Sequence, residues 1–441
     1  MGRAVILALL LAAAAATAAP PQSIVFEGAS VIEGTGAPLR PNMVIVVKGE
    51  RIEAIVPVAR FRRLPGMRVE DASGLFALPG LIDSHVHLAS PPDRRFAEAV
   101  LRRDLYSGVT AVRDMAGDAR ALADWSRAAR IGEIVAPDIY YAALMAGLDF
   151  FADPRTVEST KGAIAGQVPW MRGVTPETNL PLAIAEAHGT GATGLKIYAD
   201  LPGPLVADIT AEAHRQHMLV WAHAAVFPAS PSEVIGAGVD VVSHSCLLAY
   251  QASAKMPPAY HNRAPVEEDK FASGNSAVAQ LFDEMKRRGT ILDATLWVYD
   301  VMWKVPNASP KPYCSRALAE KLAAEAHRAG VEISAGTDSE APWRERYPAL
   351  FHELPLLVHA AGLTPAEALR ASSLVGARTI GQEREMGTLE ADKLANIVFT
   401  AKNPLEDIDN LQSVTMTVKR GHLYRRSDYR PIVKEEVQGE N

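Results

Sequence analysis

The stretch LIDSHVHLAS, residues 81–90, sets an apolar run before two histidines spaced two apart, His85 and His87. Side chains alternate along a strand, so positions i and i+2 share a face and the two imidazoles point the same way. Imidazole and carboxylate suit zinc and other borderline divalent ions. The pair alone permits a metal site and equally permits a strand that ends in two polar residues. What decides between them lies further along the chain.

Seven more short apolar runs follow: VTAVRDM (109–115), IYYAALMA (139–146), TGLKIYAD (193–200), MLVWAHAA (218–225), VDVVSHSC (239–246), TILDATL (290–296) and VEISAGTD (331–338). Helical patterns separate most of them, among them residues 97–108, 180–189, 204–217, 277–289 and 316–330. Eight strands alternating with helices predict an α/β fold, a (β/α)8 TIM-like barrel. Residues 23–77 are different in texture, rich in Val and Ile and punctuated by Gly and Pro. That texture returns in residues 394–404 and 413–426. The organisation expected is therefore a small β-sandwich domain built from both chain ends (23–78 and 388–428) and a barrel over 79–387. The connection 249–275, after the sixth run, is longer than a helix needs, and long loops at that end of a barrel act as lids or substrate walls.

The 441 residues are 48% hydrophobic and 22% charged, a globular balance, and the net charge of −6 with no basic run gives no reason to expect nucleic acid. Residues 1–18 read as a secretory signal: Arg3, a short apolar stretch, then small residues at Ala16-Thr17-Ala18. The stretch is too short to span a bilayer. The expected location is periplasmic or secreted, with no membrane span after cleavage. Cys246 and Cys314 are the two cysteines; they can pair in an oxidising compartment, but two cysteines are no disulfide framework.

Barrel active sites lie at the C-terminal ends of the strands. His85 and His87 close the first run, Lys196 the fourth, His223 the fifth, His244 the sixth and Asp338 the eighth. The same i+2 spacing puts Tyr198 on the face of Lys196, Trp221 on that of His223 and Cys246 on that of His244, as candidate pocket walls. A protonated lysine has only donors and cannot ligate a metal. A desolvated lysine beside cations has a lowered pKa, and its neutral amine can take up carbon dioxide to give an anionic carbamate with two oxygens. His261, in the long connection, is a candidate substrate residue. A substrate carboxylate would need a basic partner; Arg344, Arg346, Arg263 and Lys304 all lie on the correct side of the barrel, each reads as a surface charge before a substrate clamp, and Arg344 is the candidate carried forward. Arg113 and Asp114 are expected to pair beneath the site.

LPGLIDSHVHL, GVTAVRDMAG, GATGLKIYAD, VWAHAA, GVDVVSHS, SAGTD, AGLTPAEALRASSLVGARTIG and NPLEDIDNL together resemble the amidohydrolase superfamily, metal-dependent hydrolases, and within it the imidazolonepropionase-like and Xaa-Pro dipeptidase-like members. The resemblance covers nearly the whole chain after residue 18. It implies two divalent ions, zinc by expectation. His85 and His87 would hold the more buried ion, Lys196 as N6-carboxylysine would bridge, His223 and His244 would hold the second ion, and Asp338 would be ligand and proton shuttle. The implied reaction is attack by a metal-bridging hydroxide on the amide C–N bond of a dipeptide or N-acyl amino acid. The alternatives on the same barrel are a lactonase or esterase, a cyclic-amide hydrolase or deaminase with one metal, and a binding protein without activity. Single-metal members usually lack the fourth-strand lysine. Asn396 stands where the family usually has Asp, and the segments after the third and fourth runs depart from the dipeptidase-like pattern. A small-molecule or dipeptide substrate is the expected partner, and the sequence leaves a homo-oligomer open.

Overall fold

The computed structural model describes residues 23–305 and 313–437, so the signal segment expected over residues 1–18 lies outside the described residues. All eight apolar runs are strands: Leu81–Val86, Val109–Asp114, Asp138–Ala146, Gly194–Ile197, Leu219–His223, Val241–Ser243, Ile291–Asp293 and Ile333–Ser334. Each pairs in parallel with the next. The ring closes between last and first, where Ser84 N donates to Ala335 O at 2.8 Å and Asp338 N to His85 O at 2.9 Å. These are short strands buried on both faces, which is why they read as continuous apolar runs and not as alternating ones.

Helices cover the outside of the ring, and the residues that begin and end them are those that satisfy free backbone groups. In Arg316–Ala329 the side chain of Ser315 accepts from Leu318 N, and Gly330 ends the helix at φ 85°. Leu318, Ala319, Leu322 and Ala326 form its buried stripe.

The second unit is one mixed eight-stranded sheet. Ile24–Val31, Arg40–Lys48, Arg51–Pro57, Arg68–Asp71 and Phe76–Pro79 come from the N-terminal side, and Ile397–Thr400, Val414–Lys419 and His422–Arg425 from the C-terminal side. The halves join where Phe76–Pro79 pairs antiparallel with Ile397–Thr400, and Phe26 packs on Phe399 at 4.9 Å. Asn396 is structural: its Oδ1 accepts from Arg420 N at 2.9 Å. Asp138, first residue of the third barrel strand, pairs with Arg420 Nε at 2.8 Å and Lys419 at 3.0 Å, fastening the sheet to the barrel's N-terminal end.

Two connections at the opposite end are elaborated. After the third strand come the turns Leu148–Ala152 and Pro154–Glu158 and a hairpin, Gln167–Val168 with Met171–Gly173; the latter pairs in parallel with Leu144–Ala146. The connection after the sixth strand carries the short helices Ser245–Ala252 and Glu268–Phe271. Among the described residues no helix is long and apolar enough to cross a membrane.

Candidate functional site

The strand ends surround a cavity of about 340 Å³ whose floor carries His85, His87, His223, His244 and Asp338. Asp338 is the centre of the group. Its Oδ1 lies 3.3 Å from His85 Nε2 and 3.1 Å from His87 Nε2, and its Oδ2 lies 3.7 Å from His244 Nδ1. His85, His244 and Asp338 each offer a ligand atom within 4.8 Å of the others. His223 joins them edge-on to His244, ring centres 4.8 Å apart. Burial works to raise the Asp338 pKa, but the His85, His87 and His244 imidazoles outweigh it and hold the carboxyl well below the usual carboxylate range.

The backbone here is strained. His244, Thr295 and Asp338, just past three consecutive strands, have φ of 75°, 51° and 51°. Non-glycine residues persist in that region only where the surroundings fix them, and such strain gathers at functional sites.

Beneath the site lies a residue the sequence reading passed over. Asp293 ends the seventh strand, aligned with Ser243 on one side and Ser334 on the other. Its Oδ2 is 2.8 Å from His85 Nδ1 and accepts from Arg113 Nη2 at 3.0 Å and from Ser243 Oγ at 3.1 Å. Burial pushes its pKa up, yet His85 and Arg113 bring it below the usual range. An ionised carboxylate only accepts, so His85 Nδ1 donates to Asp293 and Nε2 is the ring atom that faces the cavity; burial opposes a charge on this imidazole, but Asp338 and Asp293 outweigh it and raise its pKa. Arg113 thus pairs with Asp293 and not with Asp114. Asp114 instead accepts from Leu88 N and Ala116 N.

Lys196 is fully buried. Its nearest polar partner is Ser243 Oγ at 3.5 Å, longer than an ordinary hydrogen bond. Burial first, and the Arg113 charge second, push its pKa down to about 7. Burial likewise lowers His244 to about 3 and His223 well below the usual imidazole range, so both are neutral at pH 7. His223 Nδ1 is buried without a partner. The neutral imidazoles of His223 and His244, one ionised carboxylate, an orphaned ring nitrogen and a buried amine with a single long contact make a donor set that fits divalent metal.

The expected substrate residues divide. Tyr198 lines the cavity, with its ring 4.0 Å from His223. Trp221 does not. It points into the barrel as the alternation requires, but two residues along a strand is about 6.6 Å of depth. Its ring lies below the cavity, with Arg113 4.9 Å over it. Arg344 is exposed, stacks on Trp343 at 4.5 Å and does not reach the cavity. His261 packs on Phe150 and Tyr260 and reaches Asp153 at 3.4 Å, at the rim. Cys246 is no pocket wall: it is bonded to Cys314, with Cα atoms 6.0 Å apart. Two arginines that do line the cavity, Arg155 and Arg263, stand on the elaborated connections. Arg263 was among the basic residues placed on this side of the barrel from sequence, read first as a surface charge, and nothing in the sequence singled out Arg155.

A family model described as "Amidohydrolase family" matches residues 76–424. The chain is 43% identical over 63 residues to an N-acyl-D-aspartate deacylase of Alcaligenes xylosoxydans xylosoxydans, a match covering 14% of this chain and about an eighth (12%) of that protein. Among solved structures it resembles a Xaa-Pro dipeptidase with bound methionine in the active site, at TM-score 0.73, 21% identity, 92% of this chain and 100% of that one. It also resembles molinate hydrolase, at TM-score 0.72, 17% identity, 96% of this chain and 98% of that one. At these identities the likeness is one of fold.

Proposed function

The chain belongs to the amidohydrolase family, and from that premise we propose that it is a binuclear metal-dependent hydrolase of the amide C–N bond in a dipeptide or N-acyl amino acid. The observation that carries the reading is Lys196: a fully buried amine, pushed down to about pKa 7, near the end of the fourth barrel strand and 5.9 Å from the ring of Tyr198, which lines the cavity with four histidines and Asp338. An amine neutral near physiological pH can form the carbamate that a two-metal site needs, and single-metal relatives have no use for one. The names of two similar proteins, a Xaa-Pro dipeptidase and an N-acyl-D-aspartate deacylase, support the substrate class.

His85 and His87 would hold one ion, His223 and His244 the other, and Lys196 as N6-carboxylysine would lie between them. Divalent ions in that place, zinc by the donor set, would supply Lewis acidity toward the scissile carbonyl and lower the pKa of water. The protein's own groups do the rest. Asp293 keeps His85 in the tautomer that offers Nε2 to the cavity. Asp338, held ionised by three imidazoles, takes the proton of the attacking water and delivers it to the departing amine nitrogen. Tyr198 and Phe150, stacked at 4.6 Å, close one side of the cavity against solvent.

We place the enzyme outside the cytoplasm, as a periplasmic or secreted protein. The leader-like residues 1–18 support this, and so does the Cys246–Cys314 disulfide, since such bonds persist in oxidising compartments.

The test is metal stoichiometry together with a Lys196→Ala variant. Two ions per chain are expected, with activity in the variant reduced at least about a hundredfold and partly restored by acetate or propionate. Full activity of Lys196→Ala without added acid would sink the bridging role, and one ion per chain in active enzyme would favour deaminase-type chemistry. Assayed on dipeptides, N-acyl amino acids and lactones, the enzyme should prefer amides; turnover of lactones alone would replace the amide reading.

A further inference from the structure

The cavity has two arginines, and only one has its charge left over. Arg155 is engaged by Asp153, through Nε at 3.0 Å and Nη2 at 2.7 Å. Arg263 has no ion pair among the described residues. Its Nη1 donates to Tyr260 O at 2.7 Å, and its Nε is buried with no hydrogen-bond partner.

Its guanidinium also packs against two aromatic rings. The central carbon lies 4.0 Å from the Tyr260 ring centre and 4.6 Å from that of Tyr313. Each ring is fixed in turn. Tyr260 N donates to Asp200 at 2.7 Å, and the Tyr260 ring stacks with His223 at 5.5 Å. Tyr313 shares a hydrogen bond with Tyr299 at 2.9 Å between hydroxyls, and the next residue, Cys314, is tied to Cys246. A planar fork of donors, packed against two rings and lacking a counter-ion among the described residues, is complementary to a planar anion. The Tyr260 ring touches both this fork and His223, and Arg263 and His223 line the same cavity, so an anion on the fork shares that cavity with the reacting centre. Other walls, including Leu144, Met171, Val298 and Met302, are uncharged and suit an apolar group.

We infer that Arg263 binds the free carboxylate of the substrate and that Tyr260 and Tyr313 set its plane, making Arg263 the residue that selects carboxylate-bearing substrates. This rests on the amide-hydrolase reading for the reacting end of the substrate, while the carboxylate end is tested without turnover. Two uncleavable probes are used on the metal-loaded enzyme, 3-phenylpropionate and 3-phenylpropanol, with dissociation constants from calorimetry. Wild type binds the acid more tightly than the alcohol. Arg263→Met weakens the acid at least about tenfold and leaves the alcohol unchanged, which also shows an intact pocket. Arg263→Lys, which keeps charge but loses the fork, falls between them. If Arg263→Met binds the acid as wild type does, the carboxylate sits on the metal and the inference is overturned. Retained carboxylate selection in a protein that cleaves no amide would leave Arg263 in place and remove the proposed function. Amide cleavage indifferent to Arg263 would do the reverse. With a cleavable N-acyl amino acid, Arg263→Met raises KM far more than it lowers kcat.

Discussion

At Gly336, a Cβ would lie 2.2 Å from Asp293 Oδ1 and 2.7 Å from the Cβ of His85. These neighbours are a buried carboxylate and a buried strand residue, so neither can yield. Gly336→Ala is expected to displace the Asp293–His85 contact and lower metal affinity at least about tenfold, as loss of a partner behind a ligating histidine does. Metal retained after dialysis against a chelator measures it. Asp293→Asn, which keeps the shape but not the charge, should cost about 10–100-fold in affinity by the same route. Asp338→Asn should bind metal yet turn over about 10²–10⁴-fold more slowly, the range of a lost general acid–base; unchanged turnover would remove it as proton shuttle. Lys196 adds a pH signature in metal-free protein. Its folded pKa, about 7, lies below the ordinary lysine value of 10.5. Between these values the unfolded chain carries a proton the folded one lacks, so stability rises with pH through that window. Lys196→Met should flatten the rise, as read from denaturant midpoints across pH 7–10.

Individual helices respond to single caps. Ser315 caps Arg316–Ala329 by accepting from Leu318 N, and its own N and Oγ donate to Glu268 at 2.6 and 2.7 Å. Ser315→Ala should cost about 1 kcal/mol, seen as a lower denaturant midpoint at constant slope. The elements themselves were largely readable from sequence. The alternation of apolar runs and helical patterns announces the barrel, because each run is a parallel strand buried on both faces. The strand-end residues were readable too, since a barrel's topology assigns them to one mouth before any distance is known. Asp293 was within reach by the same logic, but it stands in the middle of the run TILDATL and not at its end, so the run does not mark it as a strand end. Trp221 shows the limit of periodicity, which gives direction and not depth. Arg155 and Arg263 lie on connections without period, where only the folded path brings a charge to the cavity; Arg344 failed for the same reason.

Across the whole molecule, the two ends of the barrel do different work. Asp138, at the N-terminal end, is buried between Lys419 and Arg420, and Lys419 also donates to Ala129 O and Ala136 O. Asp138→Ala would leave two cations buried and should destabilise by about 3–5 kcal/mol. Its kcat per folded molecule should stay unchanged, since the cavity is at the opposite end; thermal unfolding and active-site titration separate the two effects. The ring closure between Ser84 and Ala335 has a kinetic consequence. The cavity floor draws on residues from His85 to Asp338, so it is complete only when the last strand meets the first. Contacts of such sequence separation form late and slowly. A chain emerging from synthesis therefore carries His85, His87, Lys196, His223 and His244 long before it has a place to put an ion. Metal capture should appear as one late step, coincident with closure, and a stopped-flow metal indicator would record a lag where tryptophan fluorescence already reports collapse.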